Sequence, residues 1–68
     1  MVNSGALKDR MKQENVGQAE MAKALGIKQS TLSLKIHNKR PFFLDEAETV
    51  QKLLKINDAD FSSYFFAQ

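Results

Sequence analysis

The feature that most constrains this 68-residue chain is an apolar helical pattern that breaks at a single glycine and resumes three residues later. Within QAEMAKALGIKQSTLSLKIHNKR, the stretch from Gln18 to Arg40, Met21, Ala22 and Leu25 fall on one face of a helix spanning Gln18 to Leu25. Gly26 then supplies the left-handed residue that ends such a helix, and Ile27 follows as the apolar partner of that stop. A larger residue at Gly26 would adopt positive φ at a steric cost. A second helix is expected from about Gln29 to His37, anchored by Leu32 and Ile36 at i, i+4. Ala22 is small enough to let a neighbouring helix cross closely, and Glu20 suits the first turn, where a carboxylate favours the helix dipole.

The flanks read as helices too. Ser4 is expected to cap a helix from about Gly5 to Glu14 with Leu7 and Met11 as its stripe. Asn15 is the left-handed stop, Val16 extends the apolar seam, and Gly17 caps the next helix. Asn38 stops the third helix, and Lys39-Arg40-Pro41 leaves it extended, because the residue before proline avoids the helical region. A fourth helix covers about Leu44 to Lys55, with Ala47, Val50, Leu53, Leu54 and Leu44 on its buried side and Asp45, Glu46 and Glu48 in its first turn. One of Phe42 and Phe43 plugs the core. Asn57 or Asp58 caps a last turn from Ala59 to Tyr64. Phe65 and Phe66 are adjacent and cannot share one face, so one is expected inside and the other available to a partner. The expected fold is all-α, a compact bundle of about five short helices in one domain over residues 1–68, with no repeat or linker. The lack of a linker before Gln68 reads as a whole protein rather than an excised domain.

Composition narrows the function. There is no cysteine, hence no disulfide framework or thiolate metal site. The N-terminal MVNSGALKDR lacks a signal-peptide run and no stretch is long enough to span a bilayer, which fits a cytoplasmic protein. The net charge of +2 is unevenly placed. Charges balance through Glu20. From Met21 to Leu44 there are Lys23, Lys28, Lys35, Lys39 and Arg40 and no acid, while the remainder is acidic. A basic run on two short helices attracts phosphates; a merely solvated face is the alternative. One histidine, no cysteine and no Gly-rich phosphate loop leave little for catalysis, and His37 has no second metal ligand at useful spacing. No enzyme activity, cofactor, metal or small-molecule effector is expected.

Gln18, the Ala22 and Gly26 pair, Ile27, the Ser30-Thr31-Leu32-Ser33 run, the Asn38-Lys39-Arg40 exit and L-D-E-A-x-x-V-x-x-L-L from Leu44 together resemble the phage lambda-repressor and Cro-like family of helix-turn-helix regulators. The resemblance covers most of the chain. It implies a five-helix, lambda repressor-like DNA-binding domain that binds an operator in sequence-specific fashion, usually as a homodimer. Two positions depart from the family pattern: Lys28 stands where Ser or Thr often caps the third helix, and His37-Asn38 replaces Asn-Gly.

In such a protein the third helix enters the major groove with its N-terminal part on base edges. Gln29 is the first choice for a base contact, because a side-chain amide pairs bidentately with adenine. Ser30 and Ser33 reach bases or phosphates, and Thr31 either joins them or supports the turn. Leu34 either touches a thymine methyl or, on a rotated helix, packs inside. Gln18 meets a phosphate and braces Gln29. Lys28, Lys35, Asn38, Lys39 and Arg40 hold the backbone, which positions without reading sequence. His37 either joins that group or, as the favoured reading, complements the helix dipole. The competing function is a protein-interaction module of the same fold, an antirepressor or partner-binding subunit, working through Asp45 to Glu48 and the aromatic tail.

Overall fold

The computed structural model describes residues 1–66 and contains five helices: α1 (Ser4–Gln13), α2 (Gln18–Leu25), α3 (Gln29–Ile36), α4 (Leu44–Leu53) and α5 (Asp58–Phe65). The all-α bundle is as expected. The chain end at Gln68 lies outside the described residues. No helix among the described residues is long and apolar enough to cross a membrane.

One core holds the bundle together. Leu7, Met21, Leu32, Ile36, Val50 and Leu54 are fully enclosed, and Met11, Ala22, Ala47, Ile56 and Phe65 complete it. α2 packs on both α3 and α4, and α1 packs on α5. Phe42 lies edge-on to Phe65, with ring centres 5.7 Å apart, and Phe61 lies 5.0 Å from Phe65. Phe42 thus plugs the core while Phe43 is exposed; Phe65 is inside and Phe66 outside. Val2, which no helical period reaches, is also buried.

Four helices end the same way. Asn15, Gly26, Asn38 and Lys55 take positive φ of 57°, 69°, 62° and 56°. In each case the next amide donates back to a carbonyl five residues earlier: Val16 to Met11, Ile27 to Ala22, Lys39 to Leu34 and Ile56 to Gln51. This is the Schellman arrangement, which satisfies carbonyls orphaned at a helix end.

Several boundaries differ from the sequence expectation. Asn3, not Ser4, caps α1, accepting from the Ala6 N–H at 3.1 Å. The Ser4 hydroxyl instead donates to the Ile36 carbonyl, one of the groups α3 leaves open at its end. α3 stops at Ile36, ahead of the left-handed Asn38, and α4 stops at Leu53, because Lys55 turns left-handed to bring Ile56 into the core. α5 is longer than a single turn and is capped by Asn57, which accepts from the Asp60 N–H. Leu44 is 64% exposed rather than buried, since α4 begins there, beyond the core edge that Ala47 reaches. Arg10 ties α1 to α4 by donating to the Leu54 and Lys55 carbonyls at 3.0 and 2.7 Å, a cation on a helix C-terminus.

Candidate nucleic-acid interface

The rotation of α3 is fixed by what it buries. Leu32 and Ile36 are completely enclosed and Lys35 is only 5% exposed. At about 3.6 residues per turn, the opposite side carries two rows one turn apart in spacing: Gln29, Ser33 and His37, and beside them Ser30 and Leu34. Gln29, Ser30, Leu34 and His37 are exposed, and Thr31 and Ser33 are half-buried. Leu34 therefore belongs to the outward rows, and the rotated helix that would pack it inside is not what forms. Lys28 precedes the helix in extended conformation, exposed and without a side-chain cap. Gln18 opens α2 half-buried, behind a Gly17 that offers no side-chain cap either. Among the described residues no hydrogen bond joins Gln18 to Gln29.

At the far end of α3 the cations separate into two kinds. Lys39 and Arg40 are exposed and have no ion-pair partner among the described residues. Their backbone is nonetheless pinned, both amides donating to the Leu34 carbonyl at 2.8 and 3.3 Å. Lys35 contradicts its assignment to the DNA backbone. Its ammonium lies 2.6 Å from Glu46 Oε1 and 3.2 Å from the Pro41 carbonyl, and 4.6 Å from the centre of the Phe43 ring. A lysine three residues after Leu32 is on the inward arc of the helix, and its charge is used there.

Asn38 is likewise occupied. Its Oδ1 accepts from the Val2 N–H at 2.7 Å and its Nδ2 donates to the Val2 carbonyl at 2.9 Å. The amide thus clamps the N-terminal segment to the end of α3, while the residue itself stays exposed. His37 forms a bridge: Nδ1–H donates to the Ser33 carbonyl at 2.8 Å, and Nε2 accepts from the Lys8 ammonium at 2.7 Å. The cation beside this helix end is then Lys8 of α1.

Glu46 supports the same region. Burial would raise its pKa, but the Lys35 hydrogen bond, the Phe43 N–H and the Lys35 charge outweigh that and hold the carboxyl below the ordinary glutamate range. Its Oε1 accepts the Phe43 N–H at 3.0 Å, one half of a capping box at the start of α4.

Lys8 and Lys12 are residues that the sequence reading passed over. They line an open groove of about 340 Å³ together with Asp9, Gly17 and Gln18, so α1 places two lysines and one aspartate beside the start of α2. Their i, i+4 spacing was the available signal. A second groove, of about 280 Å³, lies against the α3 exit, lined by Phe42, Leu44, Phe65 and Phe66 together with Asn38 and Arg40. Leu44 and Phe66 of that lining, and Phe43 next in sequence, are each at least 60% exposed, so the molecule also has an apolar surface beside the α3 exit. Among the described residues no cluster of three or more His, Asp or Glu side chains is placed to hold a metal ion.

No known protein-family model matches the chain, and no curated protein matches it.

Proposed function

We propose that this protein is a sequence-specific DNA-binding transcriptional regulator of the lambda-repressor and Cro-like kind, a phage or prophage repressor acting in the cytoplasm. The single observation that supports this best is the makeup of α3. Gln29, Ser30 and Leu34 are exposed and Ser33 half-buried on the side of α3 opposite the core, with Lys28 before them and Lys39 and Arg40 after them. In this reading α2 and α3 form a helix-turn-helix and α3 lies in the major groove. Gln29 pairs with an adenine, Ser30 and Ser33 reach base edges or phosphates, and Leu34 meets a thymine methyl. Gln18 and Thr31 support the approach. Lys28, Lys39 and Arg40 grip phosphates, joined by Lys8 and Lys12.

A homodimer on a pseudo-palindromic operator is part of the proposal. Recognition helices on successive half-sites lie about 34 Å apart. Each copy measures 28 × 24 × 21 Å between Cα extremes, a size comparable with that spacing. The apolar surface at Phe43, Leu44 and Phe66 is the partner-facing region in this reading. Occupying the operator blocks polymerase, and repression is the simplest outcome.

The same apolar surface favours one rival, a protein-interaction module that does not read DNA. A binding selection from a random duplex library separates the two, with enriched sites re-titrated at two salt concentrations. Enrichment of a two-fold symmetric motif whose affinity falls as salt rises is expected. No enrichment, with no salt-sensitive duplex binding, would overturn the proposal in favour of the interaction module.

A further inference from the structure

We infer that the buried Lys35–Glu46 pair positions the DNA-gripping exit of α3, holding Lys39 and Arg40 where they meet phosphates; this rests on the DNA-binding reading above. Both side chains are largely enclosed, 6% and 13% exposed, and lysine and glutamate are almost never buried unless paired. As a source of stability the pair is a poor choice. Taking two charges out of water costs several kcal/mol per ion, and well-packed apolar residues of similar volume often do as well or better. An apolar pair could join α3 to α4. It could not grip backbone groups, and this pair grips two: Lys35 donates to the Pro41 carbonyl and Glu46 accepts from the Phe43 N–H. The Phe43 ring covers the ammonium from a third side.

Those contacts all fall on one short segment. At its near end Asn38 is clamped to Val2 and the Lys39 and Arg40 amides are tied to Leu34. At its far end the Lys35–Glu46 pair holds Pro41 and Phe43. Lys39 and Arg40 are therefore suspended between two fixed points, with their backbone set and their side chains in solvent. Ordering flexible cations on binding is a direct cost to affinity, and a held segment avoids part of it. Burial also shields the pair from salt, which screens exposed charges much more. The hold thus persists where the phosphate contacts weaken.

The test compares wild type with K35M/E46L, which replaces the pair by apolar residues of similar size and leaves no lone buried charge. Affinity for the selected duplex is measured for each, alone and with R40A or Q29A added, alongside thermal unfolding. The double variant is expected to unfold cooperatively near the wild-type temperature and to bind roughly tenfold more weakly. R40A should cost less affinity in that background than in wild type, whereas Q29A should cost the same in both, since α3 itself has not moved. Such selective coupling distinguishes positioning from a general loss of structure. Wild-type affinity in K35M/E46L, or an undiminished R40A penalty, would overturn the inference while leaving DNA binding intact. Wild type that binds no duplex would instead remove the reading beneath it and the inference with it. Should K35M/E46L fail to fold, E46Q keeps an acceptor for both groups but weakens the grip. It is expected to show a smaller loss with the same reduced R40A penalty, and an unreduced penalty overturns the inference.

Discussion

Three helix ends in this protein are built for stability and a fourth, with the same backbone geometry, is built differently. α1, α2 and α4 each pass through a left-handed residue and then return an apolar side chain to the core, Val16, Ile27 and Ile56 respectively. That apolar contact is the usual companion of the Schellman stop. α3 makes the same hydrogen bond, Lys39 to Leu34, but the returning residue is an exposed lysine and an exposed arginine follows. The chain there is held by polar contacts: Asn38 on Val2, Lys35 on Pro41 and Glu46 on Phe43. The difference teaches that the α3 exit is secured without using the side chains of Lys39 and Arg40, which leaves both for a ligand.

Breaking an apolar stop should have the largest effect. Ile56→Ala removes a side chain that is 5% exposed and should lower stability by about 2–5 kcal/mol, the range for a buried isoleucine cut to alanine. Chemical denaturation measures it, and a loss below about 1 kcal/mol would deny Ile56 its place in the core. The polar hold at the α3 exit should respond to acid instead. Glu46 titrates below the ordinary glutamate range in the folded protein, so its stabilising contribution is complete above that range and disappears as pH falls through the lowered value. The stability difference between wild type and E46Q should therefore shrink as pH falls; a constant difference would show that the carboxylate is not preferentially ionised in the fold.

A smaller effect sharpens the comparison from the other side. Lys55 holds a left-handed conformation that costs a lysine more than a glycine. Lys55→Gly should raise stability by about 0.5–1 kcal/mol, with its carbonyl still free to accept from Arg10. A destabilised variant would mean that the left-handed turn is not strained. Lys39→Ala should have the least effect on folding, within about 0.5 kcal/mol, although it occupies the same position in its stop as Ile56 does. A loss comparable to that of Ile56→Ala would erase the distinction between the two kinds of ending.

Much of this architecture was legible in the chain, and the exceptions have physical causes. Asn15, Gly26 and Asn38 advertise left-handed stops because their side chains tolerate that region; Lys55 does not, and the fourth helix was read two residues too long. Adjacency implies that Phe65 and Phe66 divide between inside and outside; which member of each pair is buried, Phe42 and Phe65, only the packing decides. Leu44 continued the apolar period but stands past the end of what the core covers. Lys35 looks like a phosphate contact from its place near the end of the third helix, and Asn38 shows no sign in the sequence of its bond to Val2. Their partners, Glu46 and Val2, come from other elements, and no local spacing announces them. Gln29, Ser30 and Ser33 are legible as outward because Leu32 and Ile36 anchor α3, whereas Leu34, apolar itself, is placed outside only by the burial of Lys35 and Ile36 beside it.

If Lys39 and Arg40 grip phosphates as proposed, the salt dependence of duplex binding by wild type and Arg40→Ala reports it most directly. On a logarithmic plot of affinity against salt, the slope should fall by about 1 for the one lost contact, with affinity reduced alike on matched and unrelated duplexes. An unchanged slope, or a loss confined to one sequence, would contradict the account.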